Sequence, residues 1–233
     1  MVAALVTIMA LPTIAQDPTY HTFADRRAFL GIPYFFDVFT NLAFLAAGVA
    51  GIRLCVRGSG ALGARWAWMT CFVGVVLVCF GSGYYHLAPD NDSLVWDRLP
   101  MGIGFMGLLV AVLAEHINSR LEKWLLLPAV LIGIASVLYW RYTGDLRLYV
   151  LVQFLPLLML PLVLLLFKSP YTHRGLLLLA LAIYVLSKVA EYYDAVVFAA
   201  TGEALSGHAL KHLLAALSLF VIYWMLRRRR VNS

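Results

Sequence analysis

Seven apolar runs divide the chain. They cover roughly Phe35–Leu54, Ala64–Tyr85, Leu99–Leu113, Trp124–Trp140, Leu148–Phe167, Leu176–Glu191 and Leu205–Leu226. A helix needs about 20 mostly apolar residues to cross the hydrocarbon core of a bilayer. Each run is therefore predicted to be a membrane-spanning helix. The third is the shortest, and it can extend through Glu115. The breaks between runs are short and hold no inserted domain. The predicted fold class is all-α, a polytopic bundle of seven transmembrane helices over residues 35–226. Residues 1–16 form an apolar segment, read either as a signal peptide with a Thr13-Ile14-Ala15 cleavage site or as a short extra helix. Residues 17–34 are polar and mixed, and predicted to lie outside the membrane. Residues 227–233 form a basic tail.

Composition supports the membrane reading and excludes a soluble domain. Of 233 residues, 63% are hydrophobic and 13% charged, against about 25% charged in soluble domains. The net charge of +6 does not point to nucleic acid, because the basic residues sit in the breaks rather than along one face. Their distribution instead orients the chain. If residues 17–34 lie on the "out" side, the "in" side collects Arg53, Arg57, Arg65, Arg120, Lys123, Lys168, Arg174 and Arg227 to Arg230. The "out" side holds only Arg26, Arg27, Arg98, Arg141 and Arg147. Lys/Arg excess marks the cytoplasmic side, so the C-terminus is expected to be cytoplasmic. The three cysteines, Cys55, Cys71 and Cys79, fit no zinc ribbon or disulfide framework and read as small packing residues.

Ionisable and metal-capable residues inside spans are costly and are functional candidates by default. The second run ends in Gly81-Ser82-Gly83-Tyr84-Tyr85-His86, which puts Ser82 and His86 on one helical face. Asp97 opens the third run. His208 and His212, also i and i+4, lie early in the seventh. The alternation of spans brings all five to the "out" side at one depth. Three neutral imidazoles with an open fourth position are the ligand set of a catalytic zinc site. Each piece has a plainer reading. The histidine pair can hydrogen-bond between helices, His86 can be interfacial, Ser82 can pack or bond to backbone, and Asp97 can be an N-cap. The sequence Gly102-Ile103-Gly104-Phe105-Met106-Gly107 matches a dinucleotide fingerprint but lacks the preceding strand. It reads as small residues that let the third helix approach its neighbours.

Taken together, Gly81–His86, Asp97-Arg98-Leu99-Pro100-Met101, His208/His212 and Asp37-Val38-Phe39-Thr40-Asn41-Leu42 resemble the alkaline ceramidase family. That family belongs to the CREST group of seven-span hydrolases, which includes the adiponectin-type receptors. The resemblance extends from about Tyr20 onward. It implies zinc (Zn2+) held by His86, His208 and His212. It also implies that Asp97 acts as general acid and base on a water, and that Ser82 donates a hydrogen bond to the oxyanion. The implied partner is a membrane lipid, ceramide or another N-acyl lipid, whose amide is hydrolysed on the extracytoplasmic side. Eukaryotic members carry an acidic, Trp-containing N-terminal site for calcium (Ca2+). Here Arg26 and Arg27 beside Asp25, and Tyr34 at the matching glutamate position, argue against calcium.

Two other functions compete with a hydrolase. One is a receptor of the adiponectin type with structural zinc. A receptor usually presents a partner-binding domain or long tail, and this chain has neither. The other is a transporter, which would have helix breaks near the midplane. Pro128, Pro156 and Pro161 lie in the fourth and fifth runs, away from the cluster. Glu191, Tyr192, Tyr193 and Asp194 are expected at the same end as the cluster, either lining a head-group entrance or forming an interfacial aromatic belt. Short loops fit a bacterial inner-membrane protein.

Overall fold

A computed structural model describes residues 7–58 and 62–232. Among them the secondary structure is helical apart from three isolated bridges. Helices α1 (Phe35–Phe39) and α2 (Leu42–Arg57) form the first span. The others are α3 (Arg65–Leu87), α4 (Asn91–His116), α5 (Arg120–Thr143), α6 (Arg147–Leu166), α7 (Gly175–Tyr192) and α9 (Gly207–Arg228), with short α8 (Asp194–Ala200) between the last two. Seven of these segments are long and apolar enough to cross a membrane. The chain is an all-α, seven-helix bundle of the multi-pass membrane type.

Burial orders the helices. α4 is the central one, with 67% of its most apolar window buried, whereas α5 has 17% and lies at the periphery. Trp68 and Phe72 of α3, Val110 of α4, Val163 of α6, Leu177 of α7 and Met225 of α9 share the main apolar core. A second core joins Phe23 of the N-terminal segment to Tyr85, Leu94, Val137, Trp140 and Tyr149. Lipid tails are as apolar as leucine, so close backbone approach has to hold such helices together. The glycines of α4 serve this purpose as expected. A Cβ on Gly107 would fall 2.6 Å from the Cys71 amide nitrogen of α3, and one on Gly102 would fall 3.0 Å from the Gly133 carbonyl of α5.

Local chemistry sets the helix ends. Gly58 and Gly144 close α2 and α5 in the left-handed conformation that lacks a steric penalty only for glycine. Asp90 and Ser93 make a reciprocal capping box at the start of α4. This corrects one sequence expectation. Asp97 does not open the third span; it lies two turns inside α4, because the polar stretch from Asn91 to Arg98 is helical and packs under the N-terminal segment. Asp97 is therefore not the N-cap.

The ends of the chain fold onto the bundle. Residues 1–6 of the apolar N-terminal segment lie outside the described residues, and 7–10 are helical. The segment that follows is strapped to the α5–α6 turn: Leu146 N donates to Ile14 O at 2.8 Å, and Arg147 Nη1 donates to Met9 O and Leu11 O at 2.8 and 2.7 Å. The basic tail read from sequence is not uniform. Arg229 is buried and pairs with Glu115 of α4 at 2.7 and 2.5 Å, and the following residues bond to Pro170 and Thr172.

Candidate metal centre

The structure brings all five predicted site residues together at one end of the bundle. Ser82, His86, Asp97, His208 and His212 are each buried. The three imidazoles approach one another edge to face, with ring centroids 4.8 to 5.3 Å apart. One ring nitrogen from each lies within 4.8 Å of the other two. Nε2 of His86 and Nε2 of His208 are 3.2 Å apart. Two imidazole nitrogens that face each other at this distance must share a proton or a cation, since paired lone pairs repel. Ligands at 2.0–2.1 Å from a tetrahedral ion lie about 3.3 Å from each other, so the pair already has the spacing that a metal requires. The group could hold a metal ion.

Proline and glycine position these side chains. Pro100 has no amide hydrogen, so the Trp96 carbonyl one turn back loses its helical partner. That carbonyl lies against Gly81 of α3, where a Cβ would fall 2.0 Å from the oxygen. The contact lets α3 and α4 approach closely, and Ser82 and Asp97 line one cavity. Gly207 serves α9 in the same way. A Cβ there would meet Ala190 O at 2.2 Å and Asp194 Cα at 2.7 Å. Ser206 caps α9 by accepting from Ala209 N at 2.9 Å.

The surroundings fix the ring orientations. The first span breaks at Thr40 and Asn41, where the Asn41 side chain donates to Asp37 O at 2.7 Å in place of a regular helical bond. The break presents Thr40 to His212, Oγ1 to Nδ1 at 3.0 Å. Asp194 accepts from His208 N and from Ala24 N, both at 2.8 Å, and so ties the N-terminal segment to α9. Phe23 on that segment packs against the rings of His86 and His208. Asp25 is engaged by Arg27, whose Nε and Nη2 donate at 2.8 and 2.7 Å. Burial alone would raise the Asp25 pKa, but the hydrogen bonds and charge of Arg27 together hold it below the ordinary carboxylate value. Both carboxylate oxygens of Asp25 are thus engaged by a guanidinium.

A cavity of about 270 Å³ runs from this centre into the bundle. Ser82, Asp97, His212 and several charged side chains line it at the site, and apolar side chains such as Val75, Leu108, Leu160, Leu219 and Ile222 line much of the rest. From His208 to Ile222, α9 rises by about 21 Å at 1.5 Å per residue. The cavity is therefore amphiphilic, joining polar and charged side chains to a greasy floor.

Three residues were missed from sequence. Arg98 was counted as a loop cation, yet it is buried and lines the cavity. Lys188 and Lys211 lie within the sixth and seventh apolar runs. Both pair with Glu191, Lys211 at 2.8 Å, and all three line the cavity. Lys211 Nζ is also 3.2 Å from His208 Nε2. The cost of an ionised residue inside a span was the signal that could have found them. Of the four residues expected at the end of the sixth span, Glu191 lines the cavity, Asp194 braces α9, and Tyr192 and Tyr193 are exposed. Neither family models nor curated proteins give a match to this chain.

Proposed function

We propose that this protein is a zinc-dependent intramembrane hydrolase of N-acyl lipid amides, of the alkaline ceramidase type. The carrying observation is the buried three-histidine group, one member of which lines a largely apolar cavity together with Asp97 and Ser82. His86, His208 and His212 would hold the ion. Zinc in such a set supplies a Lewis acid and a water acidic enough to react at neutral pH.

The chain's own residues do the rest. Asp97 takes the proton from the attacking water and returns it to the leaving nitrogen. Ser82 donates a hydrogen bond to the amide oxygen as negative charge develops there. The apolar floor holds the acyl chain, and Phe23 with the N-terminal segment limits access of bulk water. With the C-terminus cytoplasmic, the orientation that the Lys/Arg distribution supports, the reaction would take place towards the extracytoplasmic face.

Metal analysis and product analysis test the two halves separately. Purified protein should contain near-stoichiometric zinc, lost in the His208→Ala/His212→Ala double variant. Zinc that persists in that variant would remove the histidines from the site. Asp97→Asn should keep the zinc but release fatty acid about 10²–10⁴ times more slowly from an N-acyl lipid that the wild type cleaves. A zinc-loaded wild type that cleaves no N-acyl lipid would favour a receptor with structural zinc.

A further inference from the structure

Arg98 is 5% exposed and lies in a box of aromatic rings. Its guanidinium carbon is 4.1 Å from the centroid of Trp140, 4.8 Å from Tyr149 and 5.5 Å from Tyr20. Nη2 donates to Gln16 Oε1 at 2.6 Å. Nη1 is enclosed and has no hydrogen-bond partner among the described residues. None of the ion pairs among those residues includes Arg98, although Asp97 is its neighbour in the chain. Ring faces attract a cation, but they do not satisfy the directional donors of a guanidinium. A buried cation without a carboxylate is costly, and Arg98 also lines the cavity.

The same cavity carries further positive charge. Lys188 and Lys211 share the one carboxylate of Glu191. Along the whole lining, Arg98, Lys188 and Lys211 outnumber Asp97 and Glu191. A neutral lipid head would leave that surplus, and Nη1 of Arg98, without a counterpart. The planar fork of arginine matches a carboxylate or a phosphate in two parallel hydrogen bonds.

We propose that the lipid taken by this cavity carries an anionic group on the amine side of its amide, and that Arg98 receives it. The substrate class is then an N-acyl amino acid or an N-acyl aminoalkyl phosphate rather than a neutral ceramide. The assignment rests on the hydrolase reading for where the amide lies, but the charge preference does not depend on turnover. In hydrolysis of such a substrate the acyl carbon–nitrogen bond breaks. Water supplies hydroxide to the acyl carbon and a proton to nitrogen, so a fatty acid and an anionic amine are released. Arg98 and Asp97 line the same cavity, so one ligand can meet both.

Binding of three lipids with the same acyl chain tests this: N-lauroylglycine, N-lauroylphosphoethanolamine and neutral N-lauroylethanolamine. Affinities are measured on the full chain in neutral detergent, on an Asp97→Asn background that does not consume the ligand. At least one anionic lipid should bind about tenfold or more tightly than the neutral one, the gain expected of a charge-assisted hydrogen bond. Whichever anion binds tighter identifies the head group. Arg98→Gln should bring the ratio to about one, and Arg98→Lys should keep part of it. Equal affinity for all three lipids would overturn the proposal, and that comparison holds even if Arg98→Gln does not fold. Laurate release by the wild type separates the two ideas. Anionic preference without release would sink the hydrolase reading and leave the anion site standing. Release from the ethanolamide with no anionic preference would do the reverse.

Discussion

The hydroxyl of Thr40 lies 3.0 Å from Nδ1 of His212. The same hydroxyl is 2.7 Å from the Phe36 carbonyl one turn earlier. A threonine has one hydroxyl hydrogen, and the shorter contact to a carbonyl, which can only accept, takes it. Thr40 therefore accepts from His212 Nδ1–H, and Nε2 of His212 keeps its lone pair for the centre of the three-histidine group. Such partners of metal-bound histidines are worth about 10–100-fold in metal affinity. Thr40→Val should lower zinc affinity by about that factor in a chelator competition, with the fold intact. Thr40→Ser should restore most of it. Unchanged affinity in the valine variant would show that Thr40 does not orient the ring.

Gly207 and Gly83 make a paired test of close approach. A side chain on Gly207 would collide with backbone of Ala190 and Asp194, whereas a Cβ on Gly83 would meet nothing within 4 Å. Gly207→Ala should force α7 and α9 apart, cost about 1–3 kcal/mol, and loosen the bond from His208 N to Asp194. Gly83→Ala should be neutral or stabilise by up to about 1 kcal/mol through helix propensity. Thermal unfolding in detergent reads both. Equal effects would show that the α7–α9 contact does not depend on a glycine.

The span pattern was legible because bilayer thickness imposes one length on every helix, and the short loops then force alternation. That alone collected Ser82, His86, Asp97, His208 and His212 at one end. The missed features share a different physics. Arg98 looks like a loop cation because its partners, Gln16, Trp140 and Tyr149, come from other elements. Lys211 is answered by Glu191 on another helix. Arg227 to Arg230 form one block in sequence, yet Arg229 finds Glu115, which is 114 positions away. A pattern along one helix carries no record of such cross-helix pairings. The early start of α4 was hidden because its first turns are polar where they meet the N-terminal segment.

Glu115 should be among the most sensitive positions for stability outside the metal centre. Its carboxylate accepts from Arg229 and from Trp68 Nε1, the latter at 2.8 Å, and it is fully enclosed. Removing one member of a buried pair typically costs 3–5 kcal/mol, because the remaining charge keeps its desolvation penalty. Glu115→Gln keeps the shape and an acceptor for Trp68 but loses the charge. We expect a loss of about 3–5 kcal/mol in unfolding stability, with zinc content of the folded fraction unchanged, since Glu115 lies at the opposite end of α4 from Asp97. A stability loss below about 1 kcal/mol would mean that the Arg229 pair contributes no more than a surface ion pair does.

The strap that holds the N-terminal segment has a pH dependence whose sign is fixed by Asp145. Hydrogen bonds from the Arg147 side chain, opposed in part by burial, hold the Asp145 pKa below its ordinary value. A lowered folded-state pKa means that the charged form favours the folded state. Its contribution is complete above about pH 4, the ordinary carboxylate pKa, and is lost as pH falls through the lowered value. Arg147, so oriented, donates to Met9 O and Leu11 O, which makes Asp145 the anchor of the segment covering Arg98 and the histidines. A nitroxide on Thr13→Cys reads this directly. Thr13 is exposed and the native cysteines are buried. The label should be immobile at pH 7, gain mobility only below about pH 4, and be mobile already at pH 7 in Asp145→Asn. A label that stays immobile at pH 7 in that variant would show that the segment is held by its other contacts, such as Asp194 to Ala24, rather than by this clamp.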